Sequence, residues 1–154
     1  MKNILTIAGF DPSSGAGITR DIDVFFSMGL HGFAVPSCIV NQGPGGVVSL
    51  YPIPLDYFSQ MLETIADRVR IDGIKIGAMY DGSHVEVLSQ FISSHMVASG
   101  FSRQKKGIPV VVDPIVSAKN NTPLLTVDGL KKLVARLFPF TTILTPNIDE
   151  ASAI

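Results

Sequence analysis

The sequence predicts an α/β fold in which helices cover both faces of a mostly parallel sheet. Short, continuously apolar runs alternate along the chain with longer segments whose apolar residues recur every three to four positions. The runs are typical of strands buried on both faces, and the longer segments are typical of amphipathic helices. With 154 residues, of which 46% are hydrophobic and 16% charged, the chain is predicted to form one domain and not to be disordered.

The first half of the chain is predicted to contain four strands and two helices. The first strand ends at Gly9, and Gly29 is a natural end for the first helix. Pro36 interrupts the second strand and indicates an edge or a bulge, because proline has no N–H group for the strand ladder. The predicted strands are residues 3–8, 33–40, 47–53 and 73–76, and the helical patterns cover residues 16–29 and 58–69.

The second half is predicted to add two helices and two strands. The helical patterns cover residues 85–96 and 130–137, and the strands cover residues 109–112 and 141–144. In parallel sheets, ligands bind outside the carboxyl ends of the strands. Four such ends carry polar or glycine-rich sequence and form the candidate site segments: residues 9–17, 41–46, 113–119 and 145–150.

Charge and composition exclude several classes of function. The formal net charge is -1 and no basic stripe is visible, so no nucleic-acid partner is expected. The basic cluster of Arg103, Lys105 and Lys106 is predicted to be a solvated loop. The apolar runs are too short for a membrane span or a signal peptide, so no membrane partner is expected. Cys38 is the single cysteine, which excludes an internal disulfide and predicts a cytoplasmic location.

The glycine-rich loop of residues 9–17 has two open interpretations. Backbone N–H groups between a strand and the start of a helix can hold an anion. Arg20 stands where the dinucleotide motif needs its third glycine, and no Gly-Lys-Ser/Thr sequence follows, so two familiar nucleotide loops are excluded. The pattern is equally consistent with a tight turn that caps the helix.

Carboxylates follow two of the later strands. Asp113 comes directly after the apolar run 110–112, where it is placed either for Mg²⁺ and its waters or for an Asp-Pro turn. Asn147 and Glu150 have the spacing of a capping box, and Glu150 is alternatively a second carboxylate for the same metal and triphosphate region. Other reactive side chains lack metal-ligand spacing or an activated setting and are predicted to be structural or solvated: His31, His84, His95 and Cys38.

Five segments occur in a fixed order along the chain. They are Ala8-Gly9-Phe10-Asp11-Pro12-Ser13-Ser14-Gly15-Ala16-Gly17-Ile18 with Asp21, Val40-Asn41-Gln42 with Gly46-Val47, Lys75-Ile76-Gly77, Val112-Asp113-Pro114-Ile115 with Ala118-Lys119, and Leu144-Thr145-Pro146-Asn147-x-x-Glu150-Ala151. Together they resemble the hydroxymethylpyrimidine/phosphomethylpyrimidine kinases of thiamine biosynthesis, which belong to the ribokinase-like superfamily. The first and last segments are the most specific.

The resemblance implies a three-layer ribokinase-like fold, truncated at the C-terminus, with residues 1–154 as the N-terminal part of a single kinase domain. It implies ATP-dependent phosphorylation of the hydroxymethyl group of hydroxymethylpyrimidine and of its monophosphate, with Mg²⁺. By position, the implied substrate-binding residues are Gly9, Asp21, Gln42 and Gly46. The implied ATP-binding residues are Asp113, Lys119, Asn147 and Glu150, of which Asp113 and Glu150 would also hold the metal.

The chain departs from the family pattern in ways that bear on substrate and activity. Ser14 and Asn121 replace usual glycines, and Ala78 replaces a usual methionine. The family's anion-hole motif, of the Gly-Thr-Gly-Cys type, follows the Thr-Pro-Asn segment and lies outside these residues. The catalytic residue is therefore unassigned, and the chain alone is expected to be inactive.

Two alternative functions stay open on the sequence. One is a pyridoxal or pyridoxine kinase of the same fold, and the other is a non-catalytic remnant that binds a small heterocycle. The expected partner is a small pyrimidine substrate, and a homo-oligomer is expected for the complete enzyme.

Overall fold

The computed structural model describes residues 1–43, 45–97 and 107–154 of the chain. Its strands are β1 (Asn3–Phe10), β2 (His31–Gly43), β3 (Gly46–Pro52), β4 (Gly73–Ile76), β5 (Val110–Val112) and β6 (Ile143–Leu144). They form one six-stranded sheet in the order β3-β2-β1-β4-β5-β6. All neighbouring strands are parallel except β2 and β3, which form an antiparallel hairpin.

The helices are α1 (Gly17–Ser27), α2 (Leu55–Ala66), α3 (Gly82–Ile92), α4 (Val127–Lys132) and α5 (Ile148–Ala153). Helix α3 continues into a π-helical turn at Ser93–Val97, and α4 continues into another at Leu133–Leu137 and a 3-10 turn at Phe138–Phe140. Helix α1 ends as the sequence predicts. Gly29 adopts a φ of +72°, and the N–H of Leu30 donates to the carbonyl of Phe25 across it.

The strands bury their two faces unequally. Alternate residues such as Leu5, Ile7 and Ile76 face the main core, where they pack against α2, α3 and the α4 segment. Helix α1 lies on the opposite face, which carries Thr6 of β1 and, beside it in register, Lys75 of β4. The three-layer arrangement with helices on both faces is therefore confirmed, and it places polar side chains of the sheet under α1.

Pro36 lies at an irregularity of the sheet. Ala8 pairs with Pro36, but the next pair is Phe10 with Ile39, so β2 contains an extra residue there. The pairing of β2 with β3 starts only at Cys38, which leaves Pro36 with a described strand on one side alone. Both features that the proline predicts, a bulge and an edge, are thus present.

The strand ends differ from the sequence-based bounds. Strand β1 runs to Phe10, because Phe10 still pairs with Ile39, and β2 extends to Gly43 through its hairpin with β3. These extensions arise because each strand pairs with a neighbouring strand, and the local apolar pattern does not predict such pairing. The predicted basic loop at Arg103, Lys105 and Lys106 lies outside the described residues. Within the part of the chain that is described, no helix is long and apolar enough to cross a membrane.

Candidate functional site

The carboxyl ends of β1, β4, β5 and β6 lie side by side and carry the predicted polar segments. Backbone bonds continue past the last strand residues: Gly77 N donates to Ile7 O (2.8 Å) and Asp113 N donates to Ile76 O (2.8 Å). Likewise, Thr145 N donates to Val112 O at 3.0 Å. These bonds fix the first residues after three strands next to one another, so their side chains share one edge of the sheet.

The loop after β1 is closed around its own carboxylate. Asp11 is 2% exposed. Its carboxylate accepts hydrogen bonds from the backbone N–H groups of Ser13 (2.8 Å), Gly15 (3.1 Å) and Ala16 (2.9 Å), and from the Ser13 hydroxyl (2.7 Å). Burial alone would raise the pKa of Asp11, but these hydrogen bonds outweigh it and lower the pKa. The loop therefore contains the predicted tight turn, in which three N–H groups bind Asp11, and its second interpretation, an anion-binding loop, stays a prediction.

Two glycines allow this loop to fold back on β1. Gly17 adopts a φ of +62°, and a Cβ there would lie only 2.1 Å from the carbonyl oxygen of Gly9. Gly9 in turn is so close to β2 that a Cβ would lie 3.0 Å from a methyl group of Val40. The structure thus shows a packing role for Gly9, whose predicted contact with substrate stays a prediction.

Asp21 is held in a defined orientation by the face of the sheet below it. Its Oδ2 atom accepts a hydrogen bond from the Thr6 hydroxyl at 2.5 Å and forms an ion pair with Nζ of Lys75 at 3.0 Å. Its side chain is 17% exposed. Among the described residues no donor binds Oδ1, so this oxygen is available to a ligand. The sequence patterns predict no role for Thr6 or Lys75, although a lysine within the apolar segment Gly73–Ile76 indicates that a charged partner lies nearby.

The hairpin of β2 and β3 brings Gln42 and Gly46 to the same end of the sheet. Gln42 is half-buried and lies opposite Val47, next to a register shift. Gly46 adopts a φ of +103°, and a Cβ there would lie 2.8 Å from Nδ2 of Asn120. Asn120 donates from that nitrogen to the carbonyl of Val47 at 3.0 Å. The segment after β5 therefore contacts the hairpin.

Four other side chains act on the carboxyl group of Asp113. Burial raises the pKa of its carboxyl. The positive charge of Lys75 and a hydrogen bond from Thr145 oppose that rise, while the negative charges of Glu150 and Asp21 add to it. Asp113 is thus close enough to both predicted ends of the site to be influenced by each. An ionised carboxylate that is partly buried beside another carboxylate favours a bound cation.

Glu150 forms the capping box that the sequence predicts, and its second predicted role, as a metal ligand, stays a prediction. Its backbone N–H donates to Oδ1 of Asn147 at 2.8 Å, and its Oε2 accepts from the Asn147 N–H at 2.8 Å, which completes a capping box at the start of α5. The side chain is also buried, at 8% exposure, and its charge acts on Asp113. Asp113 and Glu150 thus carry oxygen atoms of the kind that Mg²⁺ prefers, and their predicted contact with the metal stays a prediction.

Lys119 is exposed in the turn after β5. In that turn the N–H of Asn121 donates to the carbonyl of Ala118 at 2.8 Å, and Asn121 adopts a φ of +62°. None of the ion pairs found among the described residues involves Lys119. Its predicted contact with ATP stays a prediction.

His84 and His95 each have partners outside the predicted site segments. His84 is buried at the start of α3, where its two ring nitrogens lie 2.8 Å from Asp81 Oδ1 and 2.9 Å from the carbonyl of Ile53. Nε2 of His95 lies 2.9 Å from Oε2 of Glu63, and Asp67 is close enough to complete a group of three possible metal ligands. Glu63 is 46% exposed, and exposed acidic groups of this kind are common without a metal ion.

The family model for phosphomethylpyrimidine kinase matches residues 11–154 of the chain. A hydroxymethylpyrimidine/phosphomethylpyrimidine kinase from Salmonella typhimurium is 37% identical over 152 residues, which are 99% of this chain and 53% of that protein. The chain therefore spans about half the length of the curated relatives it matches.

Solved structures of similar proteins agree with this match. The crystal structure of a phosphomethylpyrimidine kinase from Clostridium difficile has a TM-score of 0.84 at 28% identity, over 99% of this chain and 62% of that one. A Staphylococcus aureus pyridoxal kinase in complex with AMP-PCP and pyridoxal has a TM-score of 0.78 at 26% identity, over 99% of this chain and 50% of that one. The ribokinase-like fold is thus confirmed, and the chain belongs to the phosphomethylpyrimidine kinase family.

Proposed function

We propose that the protein is a phosphotransferase that acts on hydroxymethylpyrimidine and its monophosphate, with ATP as the phosphoryl donor, in thiamine biosynthesis. Residues 1–154 are the N-terminal part of a single kinase domain. The observation that carries the proposal is the row of Asp21, Lys75 and Asp113 across the carboxyl ends of the strands. In this row, Lys75 lies between Asp21, whose carboxylate can accept a hydrogen bond from a heterocycle, and Asp113, which with Glu150 is suited to a metal ion.

The heterocycle end of the site consists of Asp21 and Gln42. Oδ1 of Asp21 can accept a hydrogen bond from an exocyclic amine, because Thr6 and Lys75 bind only Oδ2. Gln42 offers both a donor and an acceptor from the hairpin. Gly9 and Gly46 lie at the same end, where the absence of a side chain lets Val40 and Asn120 pack closely against them, and we assign them to the heterocycle site as well.

The phosphate end consists of residues that follow β5 and β6. Asp113 and Glu150 would hold Mg²⁺, which neutralises phosphate charge when it is bound. Asn147 lies next to them in the capping box, and Lys119 is exposed on the adjoining turn. Phosphoryl transfer depends mainly on positioning and on charge neutralisation, so these residue types suit an ATP site.

Pyridoxal is a second candidate substrate. Pyridoxal kinases from Staphylococcus aureus match 99% of the chain with TM-scores of 0.78 to 0.82. Ala78, in place of a usual methionine, changes the segment that follows β4, and its carbonyl accepts a hydrogen bond from the buried Ser37 hydroxyl at 2.6 Å. A heterocycle with a hydroxymethyl group is common to both candidates. The third possibility is a protein that binds a heterocycle without catalysis. Such a protein would use the same heterocycle site but would not transfer a phosphoryl group.

Paired calorimetric titrations of hydroxymethylpyrimidine and pyridoxal test the proposal. We expect the pyrimidine to bind more tightly, and Asp21→Ala to weaken it by about tenfold or more, because the loss of a partner from a buried polar contact costs about 1–3 kcal/mol. Asp113→Ala should weaken the binding of Mg–ATP and leave the affinity for the free pyrimidine nearly unchanged.

The reverse pattern would show that the two ends of the site are wrongly assigned, and tighter binding of pyridoxal would favour the second candidate. A coupled kinase assay completes the test. Hydrogen-bond donors that stabilise the charge developing on the transferred phosphoryl group are usually the largest contribution to catalysis. In the family these donors belong to the anion-hole motif, which lies outside residues 1–154. These residues alone should therefore not reach the roughly 1–100 s⁻¹ turnover of ordinary kinases.

The cellular setting is part of the same proposal. A single buried thiol at Cys38, whose pKa is raised by burial, suits a reducing cytoplasm. We also propose that the complete enzyme is a homo-oligomer.

A further inference from the structure

Lys75 is the single charged residue of β4, and it faces α1 rather than the main core. In the register of the sheet it lies between Thr6 of β1 and Val111 of β5. Its side chain is only 20% exposed. A lysine in such a position requires a partner, because a desolvated charge without one is costly.

Nζ of Lys75 lies at the carboxyl end of β4. A Cβ on Gly77 would lie 3.0 Å from this nitrogen and 2.9 Å from Cβ of Ala8. The glycine of the Lys-Ile-Gly segment thus leaves room for the lysine side chain to reach the edge of the sheet. There, the ammonium group is 3.0 Å from Oδ2 of Asp21, and its charge also acts on Asp113.

The ammonium group therefore lies between the two proposed ends of the site. Toward α1 it holds one oxygen of Asp21, together with the fully buried Thr6 hydroxyl. Toward β5 it opposes the negative charge that Asp113 and Glu150 contribute. The ammonium group attracts the carboxylate of Asp21 and so holds it in place for the heterocycle. The same positive charge repels a metal cation at Asp113 and Glu150.

We infer that Lys75 is a positioning residue that orients Asp21 for the heterocycle and disfavours the binding of a free divalent cation at Asp113 and Glu150. The site then takes the cation together with the nucleotide, because the metal–nucleotide complex carries net negative charge and the free ion is positive. This inference rests on the proposed function, and it concerns a residue that the sequence motif alone does not explain.

Binding measurements on the wild-type chain and on Lys75→Met test the inference. The probe for the metal end is Mn²⁺, followed by water-proton relaxation, and the probe for the other end is hydroxymethylpyrimidine, followed by calorimetry. We expect Lys75→Met to bind free Mn²⁺ at least about threefold more tightly, since a nearby positive charge is removed. We expect it to bind the pyrimidine about tenfold more weakly, since Asp21 loses a charged hydrogen-bond donor.

Three control variants separate charge from structure. Thr6→Val removes the other donor to Asp21 without a change of charge, so it should weaken pyrimidine binding and leave Mn²⁺ binding unchanged. Lys75→Arg keeps the charge and should bind Mn²⁺ as the wild type does. Lys131→Met removes an exposed charge from α4 and should alter neither affinity. If Lys75→Met does not fold, Lys75→Gln, which keeps a donor for Asp21, should still show the tighter Mn²⁺ binding.

The outcomes distinguish this inference from the proposed function. A lysine that only stabilised the fold would weaken both affinities or neither, and unchanged or weaker Mn²⁺ binding in the neutral variants would overturn the inference. A wild-type chain that binds no pyrimidine would count against the proposed substrate, while the Mn²⁺ comparison would still decide the role of Lys75. Equal Mn²⁺ binding by the wild type and Asp113→Asn would overturn the metal assignment and this inference together.

Discussion

Ser14 illustrates how single residues carry local strain near the proposed site. It adopts a φ of +56° in the loop between β1 and α1, at a position where the family pattern has glycine. The left-handed conformation costs most residues about 1–2 kcal/mol, and glycine is the exception. Asn121, with a φ of +62°, likewise stands where the pattern has glycine, but asparagine tolerates this conformation better.

Substitutions at Ser14 should therefore follow backbone preference rather than side-chain contacts, since Ser14 is exposed. We expect Ser14→Gly to leave the free energy of unfolding unchanged or raise it by up to about 1 kcal/mol, and Ser14→Val to lower it by about 1–2 kcal/mol. Chemical denaturation measures both, with Ser14→Ala as the unbranched control. A valine variant as stable as the glycine variant would contradict the strain at this position.

Asp113 gives a second prediction at the residue scale. Burial, with Glu150 and Asp21, raises the pKa of its carboxyl in the folded chain, against the opposition of Lys75 and Thr145. Ionised Asp113 thus disfavours folding above its ordinary pKa of 3.8, and this unfavourable contribution grows as the pH rises through the folded pKa. Asp113→Asn should therefore melt at a higher temperature than the wild type at neutral pH, in the absence of Mg²⁺.

The same thermal scans contain their own control. Well below pH 3.8 the wild-type carboxyl is protonated in both states, so the difference between the two proteins should shrink toward zero. Mg–ATP should stabilise the wild type more than the variant, because a ligand stabilises the state that binds it. If Asp113→Asn melts at a lower temperature than the wild type at neutral pH, ionised Asp113 stabilises the fold, and the prediction is wrong.

At the scale of elements, three helix starts are fixed by side-chain caps. Asp81 caps α3, Thr126 caps α4, and Asn147 caps α5. The Asp81 cap is the most extensive, because its Oδ1 accepts from the N–H groups of Ser83 (2.9 Å) and His84 (3.0 Å) and also contacts the His84 ring. A cap at the start of α3 also positions the segment that follows Lys75 and Gly77.

The Asp81 cap should make part of the stability depend on pH. Burial would raise the pKa of Asp81, but the hydrogen bonds and charge of His84 and the N–H of Ser83 outweigh it and lower the pKa. The stabilisation is fully present above pH 3.8 and is lost as the pH falls through the lowered folded pKa. Asp81→Ala should cost about 1–2 kcal/mol near neutral pH, and this loss should shrink in acid.

Thr126→Ala is the matched control for that experiment. It removes a cap whose oxygen accepts from Gly129 N at 3.0 Å, but this oxygen does not titrate. Urea unfolding of both variants between neutral and acid pH should show a pH-independent loss of about 1 kcal/mol for Thr126→Ala. Equal pH dependence in the two variants would exclude Asp81 as the source of the effect.

At the scale of the whole molecule, one face of the sheet is less covered than the other. Helix α1 lies over β1 and β2, whereas Ile143 of β6, on the same face as Lys75 and Val111, is 54% exposed. Large apolar side chains are also exposed on helices, among them Phe26 of α1 at 83% and Ile148 of α5 at 85%. With 16% charged residues, the chain has few charges to oppose association.

We therefore expect residues 1–154 to associate or to bind a hydrophobic dye at neutral pH, because contiguous apolar patches beyond a few hundred Å² favour contacts between molecules. Sedimentation velocity and dye fluorescence measure the two effects. Ile143→Lys should reduce both, and Lys131→Met, which alters an exposed residue of α4, should not. A monodisperse monomer with a sharp thermal transition and no dye binding would contradict the prediction.

The sequence by itself determined the fold class, the order of the elements and the candidate segments. Alternation of apolar runs with helical periodicity is a local property, so it predicted the strands and helices to within a few residues. The capping spacing of Asn147 and Glu150 and the helix end at Gly29 are equally local, and the structure contains both. The resemblance to the kinase family rests on such local segments as well.

Only the tertiary structure decided how these segments act on one another. It showed that the N–H groups of the glycine-rich loop bind Asp11, and that Asp21 is held by Thr6 and Lys75 from two different strands. These partners are distant in sequence, and their meeting depends on strand register and on the face of the sheet that α1 covers. Local patterns do not encode the distance between separate elements, so the electrostatic row through Lys75 became visible only once the sheet was assembled.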